Sequence, residues 1–208
     1  MASPGLVLSK ELAVLRLYRS RNLRLNLGTG PRRLDGFLNI DINLLRKPDL
    51  WLDIRKGLPL RDGSASFIYT SHTIEHLTFD ELIDLLKECH RVLENDATMR
   101  IVVPNLGKAI AAYQAGDASW FSDWPRQFRS VGGKFTNYIL CDAQHKCAFD
   151  YGLLEELLLS AGFCNVQEVT VGKSSAPLHY WPALAQSEAN FLDGKNLFVE
   201  GQKKISAT

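Results

Sequence analysis

Two hydrophobic rhythms divide the chain. Short apolar runs of strand length alternate with longer stretches in which leucines recur at helical spacing. Residues 23–27 form the first run, leucines alternating with Arg24 and Asn26. Runs at 37–41, 50–53, 67–70 and 99–103 predict strands two to five, the last ended by Pro104. Pro59, Asp62 and Gly63 mark a loop ahead of the fourth. Runs at 165–171 and 197–200 predict two more strands. Between strands four and five, Leu82, Leu85, Leu86, Cys89 and Leu93 predict a helix with one apolar stripe for a sheet. Thr78 and Glu81 open it at the spacing of a capping box, where each side chain satisfies an orphan backbone amide. A second helix over 151–161 carries Leu153, Leu154, Leu157 and Leu158, with Gly162 placed to end it. A third begins near Ser9, with Leu12 and Leu15 on one face.

This alternation predicts an α/β fold whose mainly parallel sheet is covered by helices on both faces. In such sheets ligands bind beyond the carboxyl ends of the strands, where strand order reverses. Gly28-Thr29-Gly30, Asp41, Asp53 and Ser71-His72 all follow predicted strands, so the fold brings them to one edge. Glycine at 28 and 30 lets the chain turn sharply and lets a ligand approach its backbone. An acid ending the next strand offers two oxygens to a ribose diol. Together these features predict a nucleoside-cofactor site. A nicotinamide-binding fingerprint would place a third glycine at position 33, where Arg33 stands. The hairpin-like final strands also argue against a dehydrogenase.

Composition narrows the partners. The chain has 208 residues, enough for one domain with a substantial core, and a net charge of +1 that points to no bulk nucleic-acid or membrane partner. Lys10, Arg16, Arg19, Arg21, Arg24, Arg32 and Arg33 make the start of the chain basic, which reads as a solvated helix face and its loop. Cys89, Cys141, Cys147 and Cys164 show no CxxC spacing, so the expectation is reduced thiols in a cytoplasmic protein, with no disulfide frame and no metal site. No stretch is long and apolar enough to span a membrane. Two long connections, 106–149 and 172–196, interrupt the single domain over 1–208, which also has an extension at 1–22. Both connections are rich in aromatics and are expected to be ordered lids shaping an acceptor pocket. A Trp120-Phe121-Trp124 cluster, if exposed, favours a homodimer.

The segments LNLGTGP, GFLNIDI, LDIRKGLPLRDGSASFIYTSHTIEHL and RVLENDATMRIVVPN resemble the class I S-adenosylmethionine-dependent methyltransferases. The similarity is closest to their small single-domain, type 11-like branch, often found among sugar and cell-surface biosynthesis enzymes. It covers residues 23–105 and extends weakly to AGF near Ala161 and the terminal LFVEGQK. The resemblance implies a Rossmann-like, seven-stranded, mostly parallel sheet with an antiparallel last strand. It implies S-adenosyl-L-methionine as cofactor and S-adenosyl-L-homocysteine as product. Leu27, Gly28, Thr29 and Gly30 would pass beside the methionine and ribose, and Asp41 would accept both ribose hydroxyls. Asp53 and Ile54 would meet the adenine edge, and Ser71 and His72 would flank the sulfonium. The implied reaction is in-line methyl transfer to a small-molecule, sugar or lipid-precursor acceptor, with His145, slightly ahead of His72, as the base; the Glu75-His76 pair also matches the family and reads as structural or pocket-lining. Without an unmistakable catalytic acid or base, a catalytically silent accessory subunit is the alternative.

Overall fold

The computed structural model describes residues 18–175, 180–191 and 194–204. The helix expected near Ser9 lies outside the described residues except for its end at Tyr18 and Arg19. Seven strands form one sheet: β1 (Leu23–Leu27), β2 (Leu38–Asp41), β3 (Leu50–Trp51), β4 (Ala65–Ser71), β5 (Leu93–Pro104), β6 (Cys164–Val169) and β7 (Asn196–Gln202). Their order is β3-β2-β1-β4-β5-β7-β6. β7 runs antiparallel to both neighbours, and the other pairings are parallel. Strand order therefore reverses beside β1, between β2 and β4, which places the crevice beyond Leu27 and Ser71.

Side-chain alternation explains the two layers. Leu25, Ile68, Ile101, Val103 and Val199 face one side of the sheet. There they meet α1 (Phe79–Val92) through Leu82, Leu85, Leu86 and Cys89, and α4 (Tyr151–Ser160) through Leu154 and Leu158. Phe67, Tyr69, Val102 and Phe198 face the other side, against Leu34, Phe37, Tyr180 and Leu184 of α5 (Trp181–Glu188). The capping box at Thr78 forms with both of its bonds, and Gly162 takes φ +96° after α4.

Several expected boundaries move. β3 stops at Trp51 because Asp53 caps a short 3-10 turn, Ile54–Lys56. β5 begins at Leu93 rather than Met99, with Asp96 at φ +61° and a register shift against β4. β6 ends at Val169 instead of running to 171.

Both long connections contain helices. The first holds α2 (Leu106–Gln114) and α3 (Val131–Leu140), capped by Asn105 and Ser130; the second holds α5. Phe121 is buried among Ala109, Ala112, Trp120, Phe135 and Tyr138, and Trp120 is half-buried, so the three aromatics do not form one exposed cluster. Trp124 alone of those three is widely exposed, at 67%. Tyr138 joins the two connections. Its hydroxyl donates to the Lys195 carbonyl at 2.6 Å and accepts from the Asn105 amide at 3.0 Å.

A buried ionic cluster fixes α5 to the sheet. Arg100 on β5 bonds Glu188 of α5 through Nε and Nη2, and Glu200, its register partner on β7, through Nη1, each at 2.8 Å. All three side chains are fully buried. Glu200 also accepts from Ser174 and from the amide and hydroxyl of Ser175. Among the described residues, no helix is long and apolar enough to cross a membrane.

Candidate active site

The turn after β1 is held from below by buried amides. Asn26 Nδ2 donates to Asn39 Oδ1 and to the Arg32 carbonyl, while Asn39 Nδ2 reaches Leu34, Phe37 and Asp49. This network sets the path of the chain between β1 and β2. Gly28 and Gly30 then take φ +67° and +51°. A Cβ on Gly28 would stand 2.2 Å from both Cγ2 and Oγ1 of Thr73. Thr73 bonds the Leu27, Gly28 and Ser71 carbonyls, so it stitches the glycine turn to the end of β4. Gly28→Ala combines a left-handed backbone with this overlap. Its expected cost is about 2–4 kcal/mol, read as a lowered midpoint in thermal unfolding.

Asp41, at the end of β2, is 8% exposed. Its Oδ2 accepts from the Gly30 amide and its Oδ1 from the Asn43 amide, both at 2.7 Å. Asp53 accepts from the Arg55 amide and pairs with its guanidinium at 2.8 Å, which holds the carboxyl below the usual range. A cavity of about 400 Å³ opens among Gly28, Gly30, Asp41, Asp53, Ile54, Arg55, His72, Thr73, His76 and Leu77. Six of the residues expected to hold a cofactor meet there. Leu27 is fully buried beneath the turn, and the Thr29 hydroxyl bonds inward to the Asn26 and Ile40 carbonyls.

A second cavity, of about 760 Å³, adjoins the first and shares Gly28, Gly30, His72 and His76 with it. Thr29 and Ser71 line this larger space, together with Arg32, Tyr69, Glu75, Tyr138, Cys141, His145, Ser187 and Lys195. His72 stands at the junction with φ +51°, its ring against Phe191. His145 lies in the wall formed by the first connection; burial pushes its imidazole below the ordinary value, and the Glu75 charge acts in the opposite direction. Sequence reasoning missed Thr73 and the depth of Glu75. The signal for Thr73 is a hydroxyl just past β4, opposite a glycine.

A methyltransferase-domain family model matches residues 45–101, the segment from just before β3 into β5. The glycine turn and Asp41 lie upstream of that match. No curated protein sequence matches the chain. A SAM-dependent methyltransferase from Archaeoglobus fulgidus superposes with a TM-score of 0.55 at 15% identity, over 97% of this chain and 95% of that one. A chain of the complex between the Haloferax volcanii Trm112 methyltransferase activator and its methyltransferase gives 0.53 at 12% identity, over 96% and 90%. Phosphoethanolamine N-methyltransferase 2 of Haemonchus contortus, in complex with S-adenosyl-L-methionine, gives 0.51 at 13% identity. There the match covers 95% of this chain but 53% of the other. The fold is that of S-adenosylmethionine-dependent methyltransferases, and a methyltransferase-domain model matches part of the chain.

Proposed function

We propose that the chain transfers a methyl group to a small-molecule acceptor, such as a sugar or lipid precursor, seated in the 760 Å³ cavity. The observation that carries this reading is the junction: the smaller cavity, with its glycine turn and acid, meets the larger one at His72. The residues suit S-adenosyl-L-methionine. Gly30 leaves open space where a side chain would project, and the cavity has the size of a small-ligand site. When bound, the cofactor supplies a methyl group on a positively charged sulfur, open to in-line displacement.

The chain's own residues then have separate tasks. Asp41 accepts the ribose hydroxyls on lone pairs that Gly30 and Asn43 leave free. Asp53 and Ile54 meet the adenine edge, and the backbone of residues 28–30 borders the methionine part. Ser71 and His72 border the reacting end. Holding two reactants in attack geometry accounts for up to ~7–11 kcal/mol of barrier lowering in well-oriented systems. His72 is the favoured base because it reaches both cavities, whereas His145 lines only the larger. The His72 imidazole at the junction speaks against a catalytically silent accessory role.

Calorimetric titration of the purified protein with S-adenosylhomocysteine tests donor binding. Saturable binding with a dissociation constant below ~1 mM is expected, the range in which substrates are ordinarily bound. A flat titration at millimolar ligand would overturn the proposal.

A further inference from the structure

We propose that Glu75, His76 and His145 form a binding site for a divalent transition-metal ion in the wall of the larger cavity. One carboxylate oxygen and one nitrogen of each ring lie within 4.8 Å of one another.

The hydrogen bonds of the two histidines fix their tautomers. His76 Nδ1 lies 3.0 Å from the Gln144 carbonyl, and His145 Nδ1 lies 3.0 Å from the Ile139 carbonyl. A carbonyl oxygen only accepts, so both Nδ1 atoms carry the proton and the neutral rings keep their lone pairs on Nε2. This is the arrangement of metal-binding imidazoles, whose second nitrogen donates to a backbone carbonyl or a carboxylate.

The carboxylate makes the same case independently. Glu75 is 1% exposed, and neither of its oxygens accepts a hydrogen bond, although His72 Nδ1 comes within 3.2 Å of Oε1. Burying a charge without partners is costly, and buried charges are therefore paired or bind metals. His72 stands beside one oxygen, and the other is left for an ion.

The scaffold is already joined. Glu75 and His76 sit on the 3-10 turn Ile74–His76, and the Lys146 and Cys147 amides donate to the Glu75 carbonyl at 2.7 and 3.2 Å. The turn carrying two of the ligands is thus bonded to the residues that follow the third. Two imidazoles and one carboxylate favour Zn²⁺, Co²⁺ or Fe²⁺ over Mg²⁺ and Ca²⁺, which take oxygen-rich shells. Three protein ligands leave a coordination position toward the cavity, the pattern of a reactive rather than a purely structural site. Metal binding stands independently of methyl transfer. A use of that open position on an acceptor oxygen rests on the proposed function, and it leaves His72 as the base.

The test uses full-length protein treated with chelator, desalted and titrated with Co²⁺, followed by competition with Zn²⁺. Binding of one ion per chain is expected, with the visible bands of low-coordinate cobalt in place of the weak colour of the hydrated ion. Glu75→Gln, His76→Gln and His145→Gln should each weaken binding by more than the ~10–100-fold typical of outer-shell losses. His90→Gln, on α1 against Phe163, should leave it unchanged. Thermal unfolding in chelator identifies any variant that fails to fold, and the His145 variant then carries the test if Glu75→Gln does. No cobalt spectrum, or affinity unaltered in folded His76 and His145 variants, would overturn the site. S-adenosylhomocysteine titration of the same samples reads the donor cavity separately, so failure of one reading is distinguishable from failure of the other.

Discussion

Arg100→Met is expected to remove about 3–5 kcal/mol of stability, because it strands two buried carboxylates that now share one guanidinium. Domains are stable by only about 5–15 kcal/mol in total, so the loss would lower the thermal midpoint by roughly 6–20 °C. Circular dichroism melts of the two proteins measure it. The same argument predicts partial recovery when Glu188 and Glu200 are replaced by apolar residues of similar volume together with Arg100. A loss below ~1 kcal/mol for the single variant would mean that the three side chains do not meet as described. Because α5 carries Ser187 into the cavity wall, the variant should loosen that wall before the rest of the sheet.

Asp41→Asn is expected to weaken S-adenosylhomocysteine binding about 100-fold and to cost about 1–3 kcal/mol of stability. The amide keeps one oxygen for one loop amide, turns its NH2 toward the other, and no longer offers a charge to the ribose hydroxyls. Hydrogen bonds to charged groups contribute about 1.5–3 kcal/mol, and about 2.7 kcal/mol corresponds to 100-fold in affinity. Asp41→Ala is less informative, since it also leaves the Gly30 and Asn43 amides without an acceptor. Equal affinity in wild type and Asp41→Asn, by calorimetry, would restrict Asp41 to holding the loop.

What was legible in the sequence was what depends on neighbours in sequence. β1 falls at the expected bounds because its leucines alternate strictly, and α1 starts at Thr78 because a capping box needs only four residues. Asp41, Asp53 and His72 could be assigned to one edge because each follows a strand, and strand ends in a parallel sheet coincide. The helices of the two connections were hidden for a different reason. α3 opens with Gly132-Gly133, a poor helix former, and α2 buries only Ala109 and Ala112, so neither shows a strong apolar stripe. They are set by packing on Phe121 rather than by propensity. Arg100 and Glu75 escaped because their partners are distant in sequence. A lone charge inside an apolar strand, repeated at Glu200, was the available sign of the first. For Glu75 the pair with His76 pointed to the pocket wall, while its burial depends on the bonds from the residues after His145 to the carbonyl of its own turn.

The Tyr138 hydroxyl has a consequence for how acceptor preference can change. It links the first connection to the start of β7, where the second connection ends, at Lys195. Any rearrangement that widens the cavity from one side must either carry the other side along or break the bond from Tyr138 to Lys195. Substitutions that alter the acceptor are therefore expected to come in pairs, one from each connection, and a chimera that exchanges only one connection with a relative would inherit a mismatched seam at Tyr138.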